Sequence, residues 1–167
     1  MSDAHDDLRA KVDGLSEEQA RTVLGWLQVL SKSARREPGE QSVGTLGDAL
    51  GIVSLERQPG RCKMRLDVDP AWNNPNGVLH GGVVYTLIDY SMGGAVQPHL
   101  PEGQSCASIE VKVSYLAAVR EGTLTVDTEV VRQGRSIAFL ESKVRDESGK
   151  LVATASGSMF ILGERPD

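Results

Sequence analysis

The chain has 167 residues, 40% of them hydrophobic and 25% charged, with a formal net charge of −5. That length suits one domain of ordinary size with a short extension, and such a domain buries roughly two-thirds of its unfolded surface. The composition excludes collagen-like and wholly disordered chains, no apolar run reaches the ~18 residues of a membrane helix, and the mixed, net acidic charge lacks the basic footprint that nucleic acid requires.

The first residues are acidic and lack the apolar stretch of a secretory signal, so a cytoplasmic chain is expected. A short helix over about Ala4 to Val12, stopping at Gly14, comes first. Ser16-Glu17-Glu18-Gln19 then reads as a capping box, with Ser16 as N-cap and Gln19 at the third helical position. Ala20, Val23, Leu24, Leu27 and Leu30 follow at helical spacing. Arg35 and Arg36 suit a last turn, and Glu37-Pro38-Gly39 ends it. Residues 1–43 are therefore expected to form a helical extension, a cover over the core or a neighbouring subunit, with a lid over a substrate as the alternative.

Residues 44–163 read differently. Cys62, Met64, Leu66 and Val68 alternate with polar residues, as do Leu124, Val126, Thr128 and Val130, which is strand periodicity. Segments 105–116, 136–146 and 151–162 are also strand-like. Pro59-Gly60, Glu121-Gly122, Gln133-Gly134 and Asp146 to Lys150 supply turns, and links this short imply antiparallel hairpins. The order is strand, strand, helix, then four strand-like segments. That is an α+β arrangement of five or six strands, not a doubly wound sheet. The two cysteines, Cys62 and Cys106, form no CxxC pair and have no zinc-type partner set, so free thiols and no metal site are expected.

The chemistry concentrates in the segment from Asn73 to Ala95. Asn73-Asn74-Pro75-Asn76-Gly77 must be loop. The helix after it has a small, apolar stripe of Val84, Leu87, Ile88, Ser91 and Ala95 that can lie on a sheet. Gly81 and Gly82 stand at its first turn, where they weaken the helix. In exchange they permit close backbone approach and leave N–H groups bare at the positive helix end. Such groups can hold an anion or a developing oxyanion. Asp89 interrupts the apolar helix in its middle, where a carboxylate is costly unless paired or used. Gly81 and Asp89 are eight residues apart, so ~12 Å along the axis. One substrate carbonyl cannot meet both in a single chain. If both act on one substrate, an antiparallel pair of such helices across a two-fold axis would bring each Asp89 to the partner's Gly81.

The stretch N-x-x-G-x-x-HGG-x-x-x-x-L-x-D-x-x-x-G-x-A, from Asn74 to Ala95, resembles the signature of hotdog-fold acyl-CoA thioesterases of the PaaI-like, phenylacetic-acid-degradation branch. HGG alone is weak, but Asn six residues before His80 and Asp nine after it make the pattern far more specific. Arg132-Gln133-Gly134-Arg135-Ser136 and the hairpin ending near Phe160 share the likeness, which covers about residues 44–163. The resemblance implies a long helix wrapped by an antiparallel sheet, dimers that pair their sheets, often further into tetramers, and no cofactor. It implies Asp89 as catalytic base or nucleophile and Gly81 as backbone donor to the thioester oxygen. His80 and Asn74 would order the loop, the thioester or the water, and Ser108 would place a hydroxyl beside the carboxylate. The segments Tyr115 to Arg120 and Arg132 to Ile137 would contact coenzyme A, naming Tyr115, Arg120, Arg132, Gly134, Arg135 and Ser136.

Plainer roles stand beside these. His80 also suits simple loop ordering, Asn74 a turn, and Ser108 ordinary strand surface, since a one-residue slip flips its face. Arg132 and Arg135 equally suit solvated hairpin charges. Two rival functions differ in kind. A hydratase of the same fold typically carries a motif like D-x-N-P-x-H, and here Ala71-Trp72-Asn73-Asn74-Pro75-Asn76 has no Asp before Asn-Pro. A non-catalytic acyl-CoA-binding module would usually lose the carboxylate, whereas Asp89 is present.

Overall fold

A computed structural model describes residues 3–33 and 43–163. The two N-terminal helices are α1, Ala4–Asp13, and α2, Glu17–Ser33. The expected capping box is formed: the Gln19 N–H donates to Ser16 Oγ at 3.3 Å, and the Ser16 N–H donates to Gln19 Oε1 at 2.9 Å. Gly14 caps α1 as read from the sequence. The expected stop at Glu37-Pro38-Gly39 lies outside the described residues. No residue of α1 is buried. From α2, Trp26 reaches the body of the molecule, meeting Trp72 edge-on with ring centroids 5.3 Å apart.

A short helix that periodicity did not signal, α3 (Thr45–Leu50), leads into the sheet. Its six residues are too few for a 3.6-residue pattern to emerge. Tertiary contact defines it instead: the Gly47 N–H donates to the Tyr90 hydroxyl at 3.2 Å. A Cβ on Gly47 would stand 3.2 Å from the Tyr90 ring. Gly51 ends α3 in the left-handed region at φ 76°, a conformation that favours glycine.

Six strands follow: β1 Ile52–Gln58, β2 Arg61–Asp67, β3 Ser105–Tyr115, β4 Thr123–Gln133, β5 Ile137–Asp146 and β6 Leu151–Leu162. They form one sheet in the order β1-β2-β4-β5-β6-β3. Every pairing is antiparallel, as the short links required. The long helix α4, Gly81–Val96, lies across this sheet, mainly against β2 and β4. Leu87, Ile88 and Met92 from the helix meet Leu66, Leu124, Val126 and Val144 from the strands, all with no exposed surface. This is the hotdog architecture, and the α+β expectation holds. Among the described residues no helix is long and apolar enough to cross a membrane.

Packing between α4 and β6 fixes where β3 sits. Gly157 on β6 pairs with Val111 of β3 and Leu140 of β5. A Cβ there would lie 2.8 Å from Met92 Sδ and 2.9 Å from the Glu110 carbonyl oxygen. The carbonyl belongs to the backbone and yields only if the strand moves. Gly157→Ala is therefore expected to destabilise the protein by about 1–3 kcal/mol, as overpacking typically does. A lowered midpoint in urea unfolding would register it; an unchanged midpoint would mean that β3 is free to shift.

Candidate active site

The loop before α4 is built by its own polar groups. Asn74 Oδ1 accepts from the Asn76 N–H at 2.9 Å and the Val78 N–H at 3.4 Å, folding the chain into a tight turn. Gly77 takes a φ of 67° to complete it. The Trp72 carbonyl accepts the His80 N–H at 2.9 Å. The Trp26 contact thus braces the residue that holds the base of this loop.

His80 is the N-cap of α4. Its Nδ1 accepts the Gly82 N–H at 2.9 Å. That cap consumes one of the two glycine donors. The Gly81 N–H has no acceptor among the described residues and remains at the positive end of a 16-residue helix. That the imidazole takes the Gly82 N–H is a detail that sequence spacing does not show. The Tyr115 hydroxyl donates to the Gly81 carbonyl at 2.8 Å, and burial raises its pKa, which keeps the phenol protonated for that bond. Gly81, Asn74 and Tyr115, with Leu116 to Val119, line a cavity of about 410 Å³.

Asp89 lies two turns further along α4, on its half-exposed side. The Ser108 hydroxyl donates to Asp89 Oδ1 at 2.5 Å. Ser108 is on the edge strand β3, at a bulge where Ile109 is the extra residue between Ser108 and Glu110. A bulge of this kind re-aims a side chain. It places Ser108 against the helix, deciding the question of strand face that the sequence left open. Asp89 Oδ2 has no partner among the described residues, so one carboxylate oxygen is held and the other is available. Asp89 and Ser108 line a second cavity, of about 320 Å³. Cys106 lines it too, and its thiol is pushed up in pKa first by burial and then by the Asp89 carboxylate, so it stays protonated at neutral pH.

The remaining residues expected to meet a nucleotide are scattered on the surface. Arg120 is exposed in the link after β3. Arg132, Gly134, Arg135 and Ser136 form the exposed β4–β5 hairpin end, closed by the Gly134 N–H donating to the Ile137 carbonyl at 2.8 Å. None of them lines either cavity. Sequence reasoning missed the Tyr115 bond to Gly81, because a contact 34 positions apart leaves no local trace. Among the described residues no cluster of His, Cys, Asp and Glu could hold a metal ion.

The hotdog fold defines a class, and the likenesses agree with it. Residues 76–153 match the model of the Thioesterase superfamily. The chain is 31% identical over 124 residues to the proofreading thioesterase EntH of Cronobacter sakazakii, an alignment covering 73% of this chain and 89% of that protein. Its fold resembles the PaaI protein of the E. coli phenylacetic acid degradation operon, with a TM-score of 0.67, 22% identity and coverage of 71% and 85% of the two chains. It also resembles a hypothetical thioesterase of Streptococcus pneumoniae solved with coenzyme A, with a TM-score of 0.62, 26% identity and coverage of 69% and 88%. The chain belongs to the thioesterase superfamily. It is a thioester hydrolase.

Proposed function

We propose that the protein hydrolyses an acyl-CoA thioester to the free acid and coenzyme A, at a site shared between two copies of the chain. The carrying observation is the separation of two half-sites. Asp89, oriented by Ser108, stands in one cavity; the unpaired Gly81 N–H stands in another on the same chain. A dimer across a two-fold axis would join the first half of one copy to the second half of its partner. The free edge of β3 supports this, because an 11-residue edge strand left open invites pairing with another strand.

In this reading the thioester oxygen accepts from the Gly81 N–H at the helix start. Charge developing there is stabilised by typically ~3–4 kcal/mol per good donor. Asp89 Oδ2 takes a proton from water as the oxygen adds to the carbonyl carbon, or attacks that carbon directly to form a mixed anhydride that water then opens. Collapse of the tetrahedral intermediate expels the coenzyme A thiolate, which leaves without help from a metal. Ser108 is a positioning residue that fixes the carboxylate. His80 and Asn74 hold the loop that presents Gly81.

The test is a panel of acyl-CoAs spanning chain length and aromatic groups, phenylacetyl-CoA included, with a thiol-reactive dye. Dye signal from at least one member supports the reading; silence across the panel argues for binding without turnover. Arg120, Arg132 and Arg135 are assigned to the nucleotide end, together with Gly134 and Ser136 of the hairpin. Arg135→Ala is expected to raise KM for acyl-CoA and flatten its salt dependence while kcat changes little. With a truncated acyl-pantetheine the same variant should match the wild type. Equal losses on both substrates would assign Arg135 a structural role instead.

A further inference from the structure

The Asp89 cavity contains a cation that the proposed chemistry does not use. Arg57 is near the end of β1, directly opposite Cys62 of β2. Residues opposite one another in an antiparallel pair project to the same side of the sheet. Cys62 is buried against α4, so Arg57 is directed to that helix-facing side. It lines the cavity with Asp89 and makes no hydrogen bond or ion pair with any described residue. A solvent-exposed guanidinium at the cavity wall, with no partner among the described residues, is a donor fork open to a ligand's acceptor.

The cavity floor points the same way. Asp89, Gly93 and Gln97 follow one another at i, i+4 and i+8 along α4, and all three line the cavity. Gly93 has no side chain, and the nearest atom to a Cβ there is Met159 Cε at 3.8 Å, so the floor between the carboxylate and Gln97 is open. This slot runs ~12 Å along the helix. Its walls are apolar at Met64 and Met159, and among the described residues Arg57 is its one cationic side chain.

We infer that the slot takes the acyl group and that Arg57 reads a carboxylate at the far end of it, so that the favoured substrates are CoA thioesters of dicarboxylic acids. This rests on the reading of Asp89 as the hydrolytic end of the site. The planar fork of Arg57 suits a carboxylate in bidentate contact. The apolar walls suit the methylenes between the two ends of the acyl group.

Hexanoyl-CoA and adipoyl-CoA have the same chain length and differ by the distal carboxylate alone. Wild-type protein is expected to favour adipoyl-CoA in kcat/KM by at least about 10-fold, the effect of a hydrogen bond to a charged group. Arg57→Met keeps length and removes charge. It should cost 10-fold or more on adipoyl-CoA and less than about 3-fold on hexanoyl-CoA. Arg57 is exposed, so the variant is not expected to lose its fold. The same comparison is made in binding, with the two non-hydrolysable thioether analogues and calorimetry. A wild type that treats the pair alike, or an Arg57→Met variant that weakens both equally, overturns the inference. Preference for the carboxylated analogue without any hydrolysis would sustain it while overturning the hydrolytic reading of Asp89.

Discussion

Asp89→Asn is expected to lower kcat by at least ~100-fold, the low end of what a positioned acid–base group supplies. The substitution keeps the size of the side chain and an oxygen that can still accept the Ser108 hydroxyl, now held at 2.5 Å from Oδ1. Folding and affinity for a non-hydrolysable acyl-CoA should therefore survive, and calorimetry on the purified variant would check both. Ser108→Ala should cost less, about 10–100-fold, because it removes one hydrogen bond to a charged group while leaving the carboxylate in place. Its loss should fall on kcat rather than KM, since Ser108 orients the base without holding the substrate. A folded Asp89→Asn variant with near-native turnover would remove the carboxylate from the mechanism.

Two inactive variants should restore each other when mixed. Gly81→Val places a side chain where a Cβ already stands 3.1 Å from the Tyr115 ring, crowding the half-site with the free N–H. Asp89→Asn disables the other half-site. In a mixed dimer with a shared site, one site collects both defects and the other has neither. Each mixed dimer should then reach about half of wild-type activity, and random pairing should bring the whole sample to about one quarter. The motive is the rise of ~12 Å between the two residues on one helix, together with their placement in two separate cavities. Co-refolding with mixed dimers verified by mass would decide it. Verified mixed dimers without recovery would locate both groups of each site on a single chain.

These expectations draw unequally on sequence and on structure. The capping box at Ser16, the strand alternation from Cys62 to Val68 and from Leu124 to Val130, and the run from Asn74 to Ala95 are all local patterns. Their spacing follows from the two- and 3.6-residue periods of the backbone, so the chain's own order already writes them. Asp89 was visible for the same reason, as a charge set into an apolar stripe.

What tertiary structure alone decided lies between elements distant along the chain. The bulge at Ile109 turns Ser108 toward Asp89, and a strand's face depends on register with its neighbour, which no single strand encodes. The His80 ring takes the Gly82 N–H and leaves Gly81 open, a choice made by side-chain placement rather than by composition. Arg57 turns toward the helix because a bulge at Leu55 resets its pairing to Cys62. Helix α3 exists because Gly47 lets Tyr90 approach. Periodicity reports which face of an element is apolar. Which residues then meet across the core is settled by close packing, where a shift of one residue or one methyl group changes every partner.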